Sequence, residues 1–154
     1  MSSLFERSFT TVLRIANAIL EGRANGASCA IAMSAQADQV AAGLRDAEAA
    51  FDAEPGEETL GRVIDARAAF CGQVAGEELV EAFARRGEWA VTRAVDAFDP
   101  IANALVRYVG ARTDGDRAGS VAAVEEACSL LPKERRATPV TGDRWPVAAW
   151  LTHP

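Results

Sequence analysis

The apolar residues of this chain recur three or four positions apart, and this spacing most restricts the folds available to it. The spacing is clearest in one stretch, where the steps alternate between four and three residues: Met33, Ala37, Val40, Leu44, Ala47 and Phe51. Such a pattern lines one face of an α-helix, whereas the side chains on one face of a β-strand repeat every two residues. The stretch spans fewer than three heptads, which favours packing inside a bundle over a free-standing coiled coil.

Turn-forming residues divide the chain into about six predicted helices. The first ends at Asn25-Gly26, the second is capped by Ser28, and the third runs from Glu57 to Gly76. The fourth runs from Glu77 to Phe98 with a kink or break at Gly87, the fifth starts at Pro100, and the sixth lies between the turn at 113–116 and Pro132. Gly and Asn favour the left-handed backbone that stops a helix, and Pro fits its first turn. The sequence therefore predicts an all-α fold, a compact bundle of about six helices joined by short turns, with an irregular C-terminal arm.

The 154 residues are near the usual length of one domain, and they divide into two regions. Residues 1–131 have the helical periodicity of the bundle. Residues 132–154, here called the C-terminal arm, contain four prolines and lack regular periodicity. We expect this arm to pack on the bundle or on a partner.

Charge differs between the two regions. The formal net charge is −6, yet the arm has more basic than acidic residues: Lys133, Arg135, Arg136 and Arg144 against Glu134 and Asp143. An acidic bundle repels phosphates, so it lacks the electrostatic attraction that supplies most nonspecific affinity for DNA or RNA. Nucleic-acid binding is therefore the least expected function.

The chemistry-bearing residues are few and scattered. The only histidine is His153, next to the C-terminal residue, which excludes catalytic triads and metal or haem sites that need a buried imidazole. Cys29, Cys71 and Cys128 lack the paired spacing of zinc sites, and we expect them to be small core residues with free thiols. Phosphate-binding glycine loops are also missing, and Thr113–Asp116 suits a turn and helix cap better than a calcium loop. We predict no metal, no cofactor and no catalytic residues.

The same features predict a location in the cell. No stretch of the sequence is apolar for long enough to cross a membrane, and the N-terminus does not form a convincing signal peptide. Fifteen of the sixteen basic residues are Arg, which, with abundant Ala, is typical of a GC-rich bacterial genome. We expect a bacterial cytoplasmic protein.

Two groups of Arg and Trp residues are candidate binding sites, because these residue types dominate interaction hot spots. The first is Arg85, Arg86 and Trp89, and the second is in the arm: Arg135, Arg136, Arg144, Trp145 and Trp150. In the alternative interpretation, Trp89 packs in the core and the arginines are exposed or paired with neighbouring acids. The tryptophans of the arm need burial on this subunit or on another.

The leading functional hypothesis is a non-enzymatic protein-binding module: an adaptor, an inhibitor, an immunity-type protein or an assembly factor, with homodimerisation expected. The alternative is a helical bundle with an apolar pocket that binds a small molecule, or a cofactor-free enzyme that uses Arg and carboxylate groups. A closed cavity with convergent polar groups would favour the alternative.

Overall fold

The computed structural model describes residues 3–85 and 88–135, with the backbone alone for 88–90. These ranges form five α-helices and one short 3-10 turn: α1 Leu4–Leu20, α2 Gly26–Ala53, α3 Glu57–Arg85, α4 Glu88–Thr113, α5 Arg117–Ser129 and the turn Lys133–Arg135. They include no β-strand, so the predicted all-α class is confirmed. None of the helices in these ranges has both the length and the apolar character that a membrane crossing requires.

Helix α3 lies at the centre of the bundle. Its residues 66–69 and 71–76 are buried without interruption, a pattern that requires neighbours on every side. The other four helices all pack against it. Contacts of Phe5 with Asp65 and of Phe9 with Gly72 show that α1 runs parallel to α3. Helix α5 also runs parallel to α3, while α2 and α4 run antiparallel to it.

The predicted helix boundary at Gly76 is wrong, since α3 continues through this residue to Arg85. Gly76 is instead a close-packing position. A Cβ atom there would lie 2.7 Å from the Met33 Cε atom and 3.1 Å from the Val12 Cγ1 atom. The small residue lets α1 and α2 approach the central helix, a tertiary requirement that resembles a helix stop in the sequence.

The boundary predicted at Pro100 is also wrong, because this proline lies inside α4. It is on the exposed side of the helix, where the Asp96 carbonyl that loses its helical partner can bond to water. Helix α3 is described to Arg85 and α4 from Glu88, and Gly87, where a kink or break was predicted, lies outside the described residues. Three predicted helices are thus two, which accounts for five helices where about six were expected.

The helix termini follow ordinary capping rules, with two shifts from prediction. Asn25, not Ser28, caps α2, its side chain accepting a hydrogen bond from the Ser28 backbone N–H at 3.0 Å. Helix α1 stops at Leu20, before Gly22 with φ +71°, rather than at Asn25-Gly26. The predicted turn and cap at 113–116 are confirmed, since Asp116 caps α5 by accepting from the Gly119 N–H at 2.8 Å.

The prediction of three free thiols is wrong for two of the cysteines. Cys71 of α3 and Cys128 of α5 form a disulfide, with Cα atoms 5.7 Å apart. Only Cys29 is a free, buried thiol, as predicted. Because the two half-cystines lie 57 residues apart and each occurs singly, the sequence alone did not show that they pair.

Candidate functional site

Two helices that run parallel to α3 are shorter than it and cover opposite parts of it. Helix α3 has 29 residues, α1 has 17 and α5 has 13. Helix α1 starts beside Asp65, while α5 ends beside Cys71. An opening therefore remains at each end of α3: one beyond the start of α1 and one beyond the end of α5.

The first opening, here called the N-terminal groove, has a volume of about 840 Å³. It is open to solvent and lies between α2 and α3, where the two helices continue past the start of α1. Its floor consists of small residues from these two helices: Ala42, Gly43, Ala47, Ala50, Gly61 and Ala66. Charged side chains of both signs surround this floor: Arg7, Asp46, Glu58, Arg62, Asp65 and Arg112.

Leu4, in the first turn of α1, closes one end of the N-terminal groove. Its Cδ2 atom lies so near Gly43 that it would clash with a Cβ atom on this glycine. Leu4 therefore occupies the space that a side chain at position 43 would need. The rest of the groove floor extends beyond Leu4, and no apolar side chain of α1 covers it.

Asp65 lies at the side of the N-terminal groove and is the centre of a polar network between α1, α3 and α4. Its Oδ2 atom accepts a hydrogen bond from the Phe5 backbone N–H at 3.2 Å. Its Oδ1 atom accepts from the Tyr108 hydroxyl at 3.3 Å and from Arg112 at 3.0 Å. Arg112 also pairs with Glu6 at 2.5 Å and lies over the Tyr108 ring, 5.5 Å from its centroid. Because its carboxylate accepts three hydrogen bonds from α1 and α4, Asp65 links these two helices to α3.

The electrostatics of Tyr108 agree with this structural role. Burial, reinforced by the negative charge of Asp65, raises the pKa of the Tyr108 hydroxyl above its usual value of about 10, against the opposing effect of Arg112. The hydroxyl therefore remains a protonated donor at neutral pH. A tyrosine with a raised pKa is a poor general base, which argues against proton abstraction by this group.

A second polar network lies towards the C-terminal end of α3. The buried side chain of Gln73 donates to the Met33 carbonyl and to Glu77, both at 2.8 Å, and accepts from Gln36 at 2.7 Å. Glu77 in turn binds Arg135. The network thus joins α2 and α3 to the first residues of the C-terminal arm.

Arg135, one of the predicted binding residues, is held within its own chain. Its guanidinium contacts Glu77 at 2.5 Å and Glu78 at 2.9 Å. The beginning of the arm is therefore docked on α3. The other predicted residues of the arm, Arg136, Arg144, Trp145 and Trp150, lie outside the described residues.

The other predicted group, at the end of α3, is only partly described. Arg85 is exposed and lies 3.9 Å from Glu81 of the same helix. Arg86 lies outside the described residues, and of Trp89 only the helical backbone is described. Of the three residues in this group, only Arg85 therefore has a described side chain.

The most deeply buried charge, Arg67, was missed by sequence reasoning. Arg67 of α3 is fully buried and pairs with Glu125 of α5 at 3.1 Å. Burial lowers the pKa of its guanidinium, opposed by Glu125 and Glu48. In the sequence Arg67 interrupts an Ala-rich face, and the only available signal was its position on a helix that proved to be central.

A smaller opening lies beyond the end of α5, between α2 and α3. This C-terminal cleft has a volume of about 290 Å³. Its lining is apolar and polar in about equal parts, with Met33, Ala37 and Val80 on the apolar side and Glu77, Glu81 and Arg85 on the polar side. Ser34 of α2 lies at its exposed edge. The cleft shares Glu77 with the site that holds Arg135.

Neither opening resembles a site for a metal ion. Among residues 3–85 and 88–135, no three His, Cys, Asp or Glu side chains are grouped so that they could hold one.

The chain matches no protein family model, no curated protein and no solved structure.

Proposed function

We propose that this protein acts by binding another protein without catalysis, and that the N-terminal groove receives a helix of that partner. The supporting observation is an open groove whose floor of small residues continues the surface on which α1 packs. The adaptor, inhibitor, immunity-type and assembly roles considered from sequence are all compatible with such a groove.

The way α1 packs explains why a helix suits this groove. Helix α1 rests on glycines: Leu4 on Gly43, Phe9 on Gly72 and Val12 on Gly76. Beyond Leu4 the floor continues this arrangement, since Ala47 and Ala50 follow Gly43 at intervals of four and three residues on α2. Small residues at helical spacing let a second helix approach closely and place large apolar side chains between them.

The openness of the groove favours a protein partner over a small molecule. Sites for small molecules usually enclose most of the ligand surface, within volumes of roughly 300–1,000 Å³. The N-terminal groove has a suitable volume, about 840 Å³, but it faces solvent along its length. An extended partner segment can cover such a groove, whereas a small ligand would remain largely exposed.

The polar groups beside the groove also favour binding over catalysis. Asp65 already accepts three hydrogen bonds, and Arg112 is engaged by Asp65 and Glu6. These residues fix the wall against which a partner would pack. A reaction would require them to give up contacts that hold α1 and α4 in place.

Bacterial origin, homodimerisation and a cytoplasmic location stay predictions from the sequence. The Cys71–Cys128 disulfide weighs against the last of these, because disulfides persist mainly in oxidising compartments. An adaptor, inhibitor or assembly factor could work in either setting.

Two glycines allow a matched test of the groove. Gly61 lines the N-terminal groove and Gly110 lies on α4 outside it; both are exposed, and a Cβ atom at either would meet no atom within 4 Å. Gly61→Trp should fill the groove without disturbing the core, while Gly110→Trp should leave it open. The tagged full-length protein and both variants are used to isolate partners from source cells, with quantitative mass spectrometry.

We expect a partner that copurifies with the unaltered protein and with Gly110→Trp, and that is depleted several-fold with Gly61→Trp. Circular dichroism and urea denaturation establish that both variants are folded. Equal recovery of every partner by the two variants would show that the groove is not the binding site.

A further inference from the structure

We propose that residues 136–154 of the C-terminal arm lie in the C-terminal cleft of their own chain, with a tryptophan of the arm against its apolar wall. This inference concerns the opposite end of α3 from the N-terminal groove and does not depend on the proposed function.

The exit point of the arm places it beside the cleft. Arg135 is the last described residue, and its guanidinium is fixed by Glu77 and Glu78 of α3. Glu77 is also part of the cleft wall. The chain that continues from Arg135 therefore starts at the edge of the opening, and nineteen residues can cross it many times over at roughly 3.3 Å per extended residue.

The short length of α5 explains why a covering segment is needed there. Helix α5 follows α3 up to the Cys71–Cys128 disulfide, and α3 continues to Arg85. Beyond that level, the space between α2 and α3 has no further described helix over it. The arm follows α5 in sequence, so it is the nearest chain that can fill this position around α3.

The composition of the arm complements that of the cleft. Met33, Ala37 and Val80 form the apolar part of its lining. The segment 136–154 contributes Trp145, Trp150 and Leu151, whose burial each removes a large apolar area from water.

Charge points the same way. Glu77 and Glu78 beside the cleft share a single base, Arg135, which leaves one negative charge there, while Glu81 and Arg85 of its lining lie 3.9 Å apart and balance each other. The segment that would enter has two arginines, Arg136 and Arg144, against one acid, Asp143. Opposite charge at the rim favours docking in one orientation.

Photo-cross-linking in the full-length protein tests this placement. A photoreactive phenylalanine analogue replaces Ser34, an exposed residue at the edge of the cleft, and in a matched control it replaces Ala35, its exposed neighbour outside the cleft. Heavy-isotope and normal chains are mixed before irradiation. Mass spectrometry then distinguishes links within one chain from links between two chains.

We expect links from position 34 to peptides of residues 136–154 within the same chain, several-fold more abundant than from position 35. Replacing both Trp145 and Trp150 with Ala should reduce this yield several-fold. Links between normal and heavy chains at the share that random pairing of the mixed chains predicts would overturn the proposal and show that the arm docks on a second copy. A yield at position 34 no greater than at position 35 would also overturn it.

Discussion

Helices α1 and α5 both run parallel to α3 and cover opposite parts of it, but different interactions hold them in place. Helix α5 has only 13 residues and is joined to α3 by the Cys71–Cys128 disulfide and by the buried Arg67–Glu125 pair. Helix α1 has no covalent link to α3. It packs through Phe9 and Val12 onto Gly72 and Gly76.

The difference shows how helix length and attachment are related in this bundle. A longer amphipathic helix buries enough apolar surface to stay docked, and α1 buries Phe5, Phe9, Val12, Ala16 and Ile19. The shorter α5 buries mostly smaller side chains: Ser120, Val121, Ala123, Val124, Ala127 and Cys128. The disulfide compensates for that smaller apolar surface.

The largest expected effect concerns the disulfide. Removing it in the double variant C71A/C128A should lower the free energy of unfolding by about 4 kcal/mol, because a closed loop of this size restricts the unfolded chain. Urea denaturation measures the change. Hydrogen exchange should show that α5 loses protection before α1 does.

Cys29→Ala serves as the control, since this thiol is buried but unpaired with another cysteine. A reductant should destabilise Cys29→Ala as much as the unaltered protein and should not affect C71A/C128A. If the reductant does not change the free energy of unfolding of the unaltered protein, the disulfide is not what distinguishes the attachment of α5 from that of α1.

A smaller effect is expected on the α1 side, from Gly76→Ala. The new methyl group would crowd Met33 and the stiff side chain of Val12. Overpacking costs about 1–3 kcal/mol, against a gain of roughly 0.5–1 kcal/mol in helix propensity, so we expect a net loss of about 1 kcal/mol. Denaturant midpoints measure it.

Gly61→Ala is the matched control in the same helix, because a methyl group there meets no atom within 4 Å. It should stabilise the protein by about 0.5–1 kcal/mol. Equal effects of the two substitutions would mean that α1 does not rest on Gly76 as closely as described.

The smallest expected effect is a pH dependence of the free energy of unfolding. It comes from Tyr108 of α4, whose hydroxyl bonds to Asp65 beside the start of α1. Burial raises the pKa of Tyr108, so the unfolded chain ionises this hydroxyl at a lower pH than the folded protein does. Its contribution is fully present below about pH 10, the usual pKa, and is lost as the pH rises further. Between pH 8 and 10.5 the folded state should lose up to about 1 kcal/mol from this group.

Tyr108 is the only tyrosine, so the ultraviolet absorbance of tyrosinate reports on it alone. Its titration should be displaced to higher pH in the folded protein relative to the urea-unfolded chain. Burial also raises the pKa of Cys29, which adds a loss of the same sign, and Tyr108→Phe in a Cys29→Ala background separates the two. Titration at the ordinary pH in the folded state would contradict the burial of the Tyr108 hydroxyl.

The sequence predicted the helical faces well but the helix boundaries less well. The apolar pattern from Met33 to Phe51 marks buried or half-buried positions of α2, because helical periodicity is a local property. Gly76 and Pro100 misled the prediction, because each has the local signature of a boundary and lies in the interior of a long helix. Packing decided these cases.

The candidate site could not have been predicted in the same way. Asp65, Tyr108 and Arg112 are far apart in the sequence and meet only because α1, α3 and α4 pack together. Of the eight predicted binding residues, the structure places Arg135 and Arg85, and it ties Arg135 to its own chain.

The sequence by itself determined that this protein is helical, where its apolar faces lie, and that its single histidine is His153 in the C-terminal arm. Only the tertiary structure decided that α3 is central, that Cys71 and Cys128 pair, and that two short helices leave openings at opposite ends of α3. The physical reason is the separation along the sequence of the residues that interact. Helix formation depends on residues three or four apart, whereas the disulfide and the openings depend on contacts between residues far apart in the chain.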